Sequence, residues 1–288
     1  MSTYSTATVE ADGAKVFYRY AGSESAPVIL LLHGFPSSSH QFRNLIPLLA
    51  KSYRVIAPDF PGFGFTEVPT GRNYQYSFAN IAKTVEAFVD ALELTKFAIY
   101  IFDYGAPVGL RLALSRPELI AAIFTQNGNA YEEGLGDSWA PIQKYWVTGA
   151  QPDRDGIRPF LTLEGTKSQY VDGSPHPAAI QPEAYYLDQA LMDRAGNKEI
   201  QLDLFYDYRN NVALYPKFHE YFRASGVPVL AVWGKNDGFF IPPGAEAFAR
   251  DVKKFELHFL DASHFALETN EDKIARYIET FIQKYGIF

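Results

Sequence analysis

Short, wholly apolar runs that alternate with helix-spaced segments constrain this chain more than any other feature of it. Val28–Leu32, Tyr53–Ala57, Phe97–Phe102 and Ile120–Thr125 are uninterrupted apolar or near-apolar stretches of strand length. Runs of that kind suit strands buried on both faces, as in a parallel sheet. Between them, Gln41–Leu49 fits a helix, and Phe78, Ile81, Ala82, Val85, Phe88, Val89 and Leu92 form a helical stripe. A further helix follows Gly105 through Val108, Leu110, Leu112 and Leu114 until Pro117 stops it. Strand and helix in alternation with tight connections predict an α/β fold, a mostly parallel central sheet flanked by helices. Val16–Tyr20 reads as one more strand ahead of these.

The rhythm stops after Asn127 and resumes at Val227. The intervening stretch is rich in aromatics, Pro and Gly, carries helical patterns at Pro182–Arg194 and Lys198–Arg209, and lacks clear β-rich runs. It is read as an inserted helical cap over 129–222, with 1–128 and 223–288 forming the core domain. Val227–Trp233 and Phe255–Leu260 then continue the sheet, and Ile274–Tyr285 closes the chain as an amphipathic helix. The 288 residues accommodate such a core and insertion.

Composition narrows the function. With 26 basic against 33 acidic residues the net charge is −7, and no Lys/Arg cluster offers the footprint of a nucleic-acid binder. The absence of cysteine removes disulfides, thiolate ligands and a Cys nucleophile together. No apolar run approaches the ~20 residues of a membrane helix, and the first residues lack a secretory pattern, so a cytoplasmic location is expected. The histidines, His33, His40, His176, His219, His258 and His264, show no metal-binding spacing. Gly62-Phe63-Gly64 lacks the third glycine of a dinucleotide loop. Neither a metal nor any other cofactor is expected.

In open α/β sheets, functional groups gather beyond the carboxyl ends of the strands. His33-Gly34-Phe35-Pro36, Asp103-Tyr104-Gly105, Asn236-Asp237-Gly238 and Ser263-His264-Phe265 all fall there. With Leu-Leu-His-Gly-Phe-Pro at 31–36, Ala-Pro-Asp-Phe-Pro-Gly-Phe-Gly at 57–64 and Trp-Gly-Lys-Asn-Asp at 233–237, the chain resembles the α/β-hydrolase superfamily from about Val28 to Asn127 and again from Val227 onward.

The resemblance implies an α/β-hydrolase fold whose nucleophile sits at 103 on a strained strand-to-helix turn. That residue is Asp rather than the commoner Ser. A carboxylate attacks saturated carbon to give an ester, whereas its attack on an ester substrate would produce a high-energy anhydride. The implied roles are Asp103 as nucleophile, His264 as the base that activates water and Asp237 as the acid that orients it. The backbone N–H groups of Phe35 and Tyr104 are the implied oxyanion hole. His33 is expected to hold the turn that aims the Phe35 N–H.

Asp nucleophiles on this scaffold are known in epoxide hydrolases and in dehalogenases. Tyr145, in Tyr145-Trp146-Val147-Thr148, and Tyr208, in Asp207-Tyr208-Arg209, resemble the cap tyrosines with which epoxide hydrolases protonate the opened ring. Trp146 also matches a halide-donor position of fluoroacetate-type dehalogenases, and with Phe35 it is expected to line the substrate site. The expected activity is hydrolysis of an epoxide to a vicinal diol, on a small apolar substrate with water as the second reactant. A dehalogenase acting on haloalkanes or haloacids, and a non-enzymatic ligand-binding member, are the alternatives. No nucleic-acid or membrane partner is expected, and the chain is expected to be a monomer or homodimer. At the turn itself Ile101 stands where the family has a glycine, Phe102 where it often has His, and Ala106-Pro107 where it has a small Gly-containing pair.

Overall fold

The strands of the computed structural model, which describes residues 4–288, form one eight-stranded sheet. They are β1 (Ser5–Ala11), β2 (Ala14–Ala21), β3 (Val28–Leu32), β4 (Arg54–Pro58), β5 (Phe97–Phe102), β6 (Ile120–Gln126), β7 (Val229–Gly234) and β8 (Phe255–Leu260). Their spatial order is β1-β2-β4-β3-β5-β6-β7-β8. The β1–β2 and β2–β4 pairs are antiparallel, and every later pair is parallel.

The central strands are buried on both faces, as their composition requires. In β5 the pleat sends Phe97, Ile99 and Ile101 to one side and Ala98, Tyr100 and Phe102 to the other. The first set packs with α2 (Phe78–Ala91) and α3 (Gly105–Ser115). The second packs with α1 (Leu45–Leu49) and with Ile274, Ile278, Phe281 and Ile282 of α12 (Leu267–Tyr285).

Three local readings differ from expectation. β1 carries no apolar run, because its side chains are largely exposed. It forms through the two-residue Asp12-Gly13 turn, where φ is +51° and +70° and Ala11 pairs with Ala14. That geometry suits a hairpin whose turn matches the twist of its strands. The helix expected over Gln41–Leu49 is divided into a 3₁₀ turn at Ser39–Phe42 and the short α1. Pro47 has no N–H to return to the Arg43 carbonyl, so it is tolerated only in a first turn. The closing helix begins earlier than expected, at Leu267, with a kink at Asn270.

Between β6 and β7 the chain leaves the sheet for α4 (Ala140–Thr148), α5 (Gln151–Gly156), α6 (Leu163–Val171), α7 (Pro182–Met192), α8 (Asn197–Asp207), α9 (Arg209–Val212) and α10 (Tyr215–Ser225). The segment contains no strand. The expected boundary at 222/223 falls inside α10, whose Phe218 and Phe222 join the same apolar layer as α2 and α3. A short α11 (Pro242–Ala247) precedes β8. Among the described residues no helix is long and apolar enough to cross a membrane.

This helical layer is tied to the core next to His264. The Tyr170 ring of α6 lies parallel to Phe265, with centroids 3.8 Å apart, and the Ser263 hydroxyl donates to the Tyr170 carbonyl at 3.1 Å. The Tyr170 hydroxyl in turn donates to Asp188 of α7 at 2.5 Å. Close by, Arg43 makes a two-pronged pair with Glu268, at 2.9 and 2.6 Å, both side chains being almost wholly withdrawn from solvent.

Candidate active site

Asp103 occupies the turn between β5 and α3 with φ +47°, left-handed backbone that a non-glycine residue rarely takes. Its neighbours make the turn possible. A Cβ at Gly34 would collide with the Asp103 side chain, and one at Gly105 would collide with the Leu32 carbonyl. Ile101 fits where the family has glycine because Gly109, one α3 turn beyond Gly105, leaves room; a Cβ there would lie 2.7 Å from Ile101 Cγ2.

The Phe35 N–H donates to Asp103 Oδ1 at 2.6 Å, and the Tyr104 N–H also donates to the carboxylate. Oδ2 faces His264 Nε2 at 4.0 Å. Burial pushes the Asp103 carboxyl up, more than His264 and the two N–H groups bring it down, to about 6. His264 Nδ1 is 2.7 Å from Asp237 Oδ2. Burial works against the imidazolium, yet the Asp237 and Asp103 carboxylates outweigh it and hold His264 above its ordinary value.

Asp237 is fixed from two sides. The Phe239 N–H donates to its Oδ1 and the Asn127 amide to its Oδ2, each at 2.8 Å. Asn127 follows β6 with φ +47°, and its amide also bonds both the N–H and the carbonyl of Gly234 on β7. The Gln126 amide donates to the His264 carbonyl at 2.9 Å. His33 is enclosed and held neutral, since burial pushes its pKa down to about 3. Its Nε2 accepts from the Phe60 N–H at 3.0 Å while Nδ1 meets the Gly34 carbonyl at 3.1 Å, so the ring braces the loop that presents Phe35.

A largely enclosed cavity of about 10 Å³, room for about one water molecule, sits on Asp103 and His264. Phe35 and Tyr104 line it from the core side, and Trp139, Phe160, Gln169 and Phe205 from the helical layer. The structure thus brings Asp103, Asp237, His264, Phe35 and Tyr104 together. Two expectations for the helical layer need correction. Tyr145 is not among the residues lining the cavity; its hydroxyl accepts from Arg154 at 3.1 Å, and Arg154 is itself paired with Glu199 and Asp203. Trp146 spends its indole N–H on the Phe205 carbonyl at 2.7 Å.

The indole that lines the cavity is Trp139, whose buried N–H has no hydrogen-bond partner among the described residues. The Tyr104 hydroxyl and the Gln169 amide nitrogen are likewise buried and unpartnered. Tyr208 does not line the cavity either; it is fully enclosed behind it, its ring 4.5 Å from Trp139 and its hydroxyl 3.5 Å from that of Tyr215. Burial, above all, holds both Tyr104 and Tyr208 well above the ordinary phenol value, and the Asp103 carboxylate adds to this in each. Buried donors without acceptors are costly in a folded protein and gather where something else is to be bound. Trp139, Gln169 and Phe205 escape sequence reading because no local motif marks them.

The family model of the alpha/beta hydrolase fold matches residues 27–271. The chain is 51% identical over 272 residues to the uncharacterized hydrolase YNR064C of Saccharomyces cerevisiae, covering 93% of each. It is 34% identical over 297 residues to a haloalkane dehalogenase of Bradyrhizobium diazoefficiens, covering 94% of this chain and 91% of that one. Epoxide hydrolase 4 of Homo sapiens is 24% identical over 299 residues, covering 99% and 80%.

Proposed function

The chain belongs to the α/β-hydrolase family, and from that premise we propose that it hydrolyses a small apolar epoxide to a vicinal diol through an ester on Asp103. The observation that carries this reading is the division of labour within one carboxylate. Oδ1 is held by the Phe35 N–H, and the Tyr104 N–H also bonds the carboxylate, while Oδ2 is directed towards the His264 imidazole.

In the first step Oδ2 attacks a ring carbon, the carbon–oxygen bond breaks, and the alkoxide takes a proton from a phenol. Tyr208 and Tyr104 are the phenols beside Asp103, both kept protonated by burial. In the second, water attacks Asp103 Cγ and gives its proton to His264 Nε2. The negative charge on Oδ1 then meets the Phe35 N–H already in place, with the Tyr104 N–H beside it. Collapse releases the diol, which takes the proton from His264, and the acid left on Asp103 returns its proton to the phenolate. The helices α4–α10 act as a cap that keeps bulk water out.

The test is intact-protein mass spectrometry of His264→Gln after exposure to epoxides and organohalides. An adduct with the whole epoxide mass is expected, and neither Tyr208→Phe nor Tyr104→Phe should form it at the parent rate. Absence of any adduct would refute the ester mechanism. A dehalogenase is the second reading, favoured by the unpartnered Trp139 N–H, which suits a departing halide. It would show as an adduct lacking HX, formed more slowly in Trp139→Phe.

A further inference from the structure

A second cavity, of about 160 Å³, adjoins the first and opens outward between α6 and the Asp237 loop. Its wall includes Ser138, Asp172, Asn236 and Asp237, so it is more polar than the aromatic chamber on Asp103. Gln169, Phe239 and His264 line both cavities. Gln169 is 6% exposed and its amide nitrogen has no partner, so a donor waits at the junction of a polar passage and the catalytic imidazole.

We infer that this polar cavity delivers the hydrolytic water to His264 and that Gln169 holds it there. The inference rests on the ester mechanism proposed above. A water poised for the second step gives one proton to His264 Nε2 and directs one lone pair at Asp103 Cγ. Its remaining lone pair needs a donor, and the Gln169 Nε2–H supplies it. The division also has a physical motive. With the alkyl ester on Asp103 lying among the aromatic side chains, the nucleophilic water must reach His264 from another side.

The experiment separates the two half-reactions by quenched-flow mass spectrometry of the full-length protein with an epoxide that labels His264→Gln. Gln169→Leu should form the ester at a rate within about twofold of the parent and lose it about tenfold more slowly, a loss equal to one positioning contact. Ester should then be visible during steady turnover. Ser138→Leu should do the same by filling the cavity, which Ser138 lines next to Gly238. It carries the test alone should Gln169→Leu fail to fold. Slower ester formation in either variant would overturn the inference, because it would make Gln169 a substrate contact or the passage a substrate entrance. Unchanged rates in both half-reactions would overturn it too. An absence of adduct even in His264→Gln would instead condemn the ester mechanism itself.

Discussion

Asp103→Asn should make this protein more stable while abolishing ester formation. Asp103 is 5% exposed, and burial pushes its carboxyl from 3.8 up to about 6. A group whose folded pKa exceeds its unfolded one holds extra protons in the native state between the two values. Its contribution is therefore fully present below about pH 4 and is lost as pH rises through about 6. At about 1.36 kcal/mol per pH unit, keeping this carboxylate ionised costs the native state about 3 kcal/mol at neutral pH. Asparagine is neutral, nearly isosteric, and still offers Oδ1 to the Phe35 N–H. The value of about 6 already includes the attraction to His264, so at about pH 8, above it, about 3 kcal/mol should remain. Urea titration at about pH 4 and about pH 8 reads it directly: the variant should lead at the higher pH and draw level at the lower. Equal stability at both would mean that Asp103 ionises in the fold at no cost, and the electrostatic account of the site would fall.

Three further outcomes follow from the same geometry. The rate of ester formation should rise through about pH 6 as Asp103 deprotonates, and in His264→Gln, where the imidazolium's attraction is gone, that limb should move upward; a limb near pH 4 in both proteins would contradict it. Gly34→Ala should leave a folded protein that labels at least about a hundredfold more slowly in the His264→Gln background, since the new Cβ displaces Asp103 from the Phe35 N–H. Arg43→Met should cost about 3–5 kcal/mol by leaving the buried Glu268 unpaired, and Glu268→Leu added to it should recover most of that; a melting temperature lowered by under about 2 °C would show that Glu268 reaches water.

What was legible in the sequence was what is local. β3, β5 and β8 have the expected limits because bounded strand segments and their turns lie within a few residues of one another. Asp103, Asp237 and His264 could be picked out because each ends or follows such a strand. β1 was not visible, since its exposed side chains remove the apolar signal. The helical layer was legible as helix but not as site. Which indole meets Asp103 depends on acceptors remote in sequence: the Phe205 carbonyl takes the Trp146 N–H, and among the described residues no acceptor reaches that of Trp139. Tyr145 has the residue type of a proton donor, but Arg154, supplied by the next helix, claims its hydroxyl.

Under the proposed mechanism, the contact of Tyr170 with Phe265 and Ser263 would tie ester hydrolysis to substrate size. A ligand small enough to sit beneath the helices leaves α6 in place, and with it the loop that carries His264. One that wedges the helices apart must drag on that same loop, separating the imidazole from Asp237 or from the ester. Oversized molecules would then be admitted and even captured by Asp103, yet released slowly. Such compounds would behave as inactivators whose potency grows with bulk, so the enzyme would discriminate among substrates in the second half of its cycle, after the covalent bond has formed.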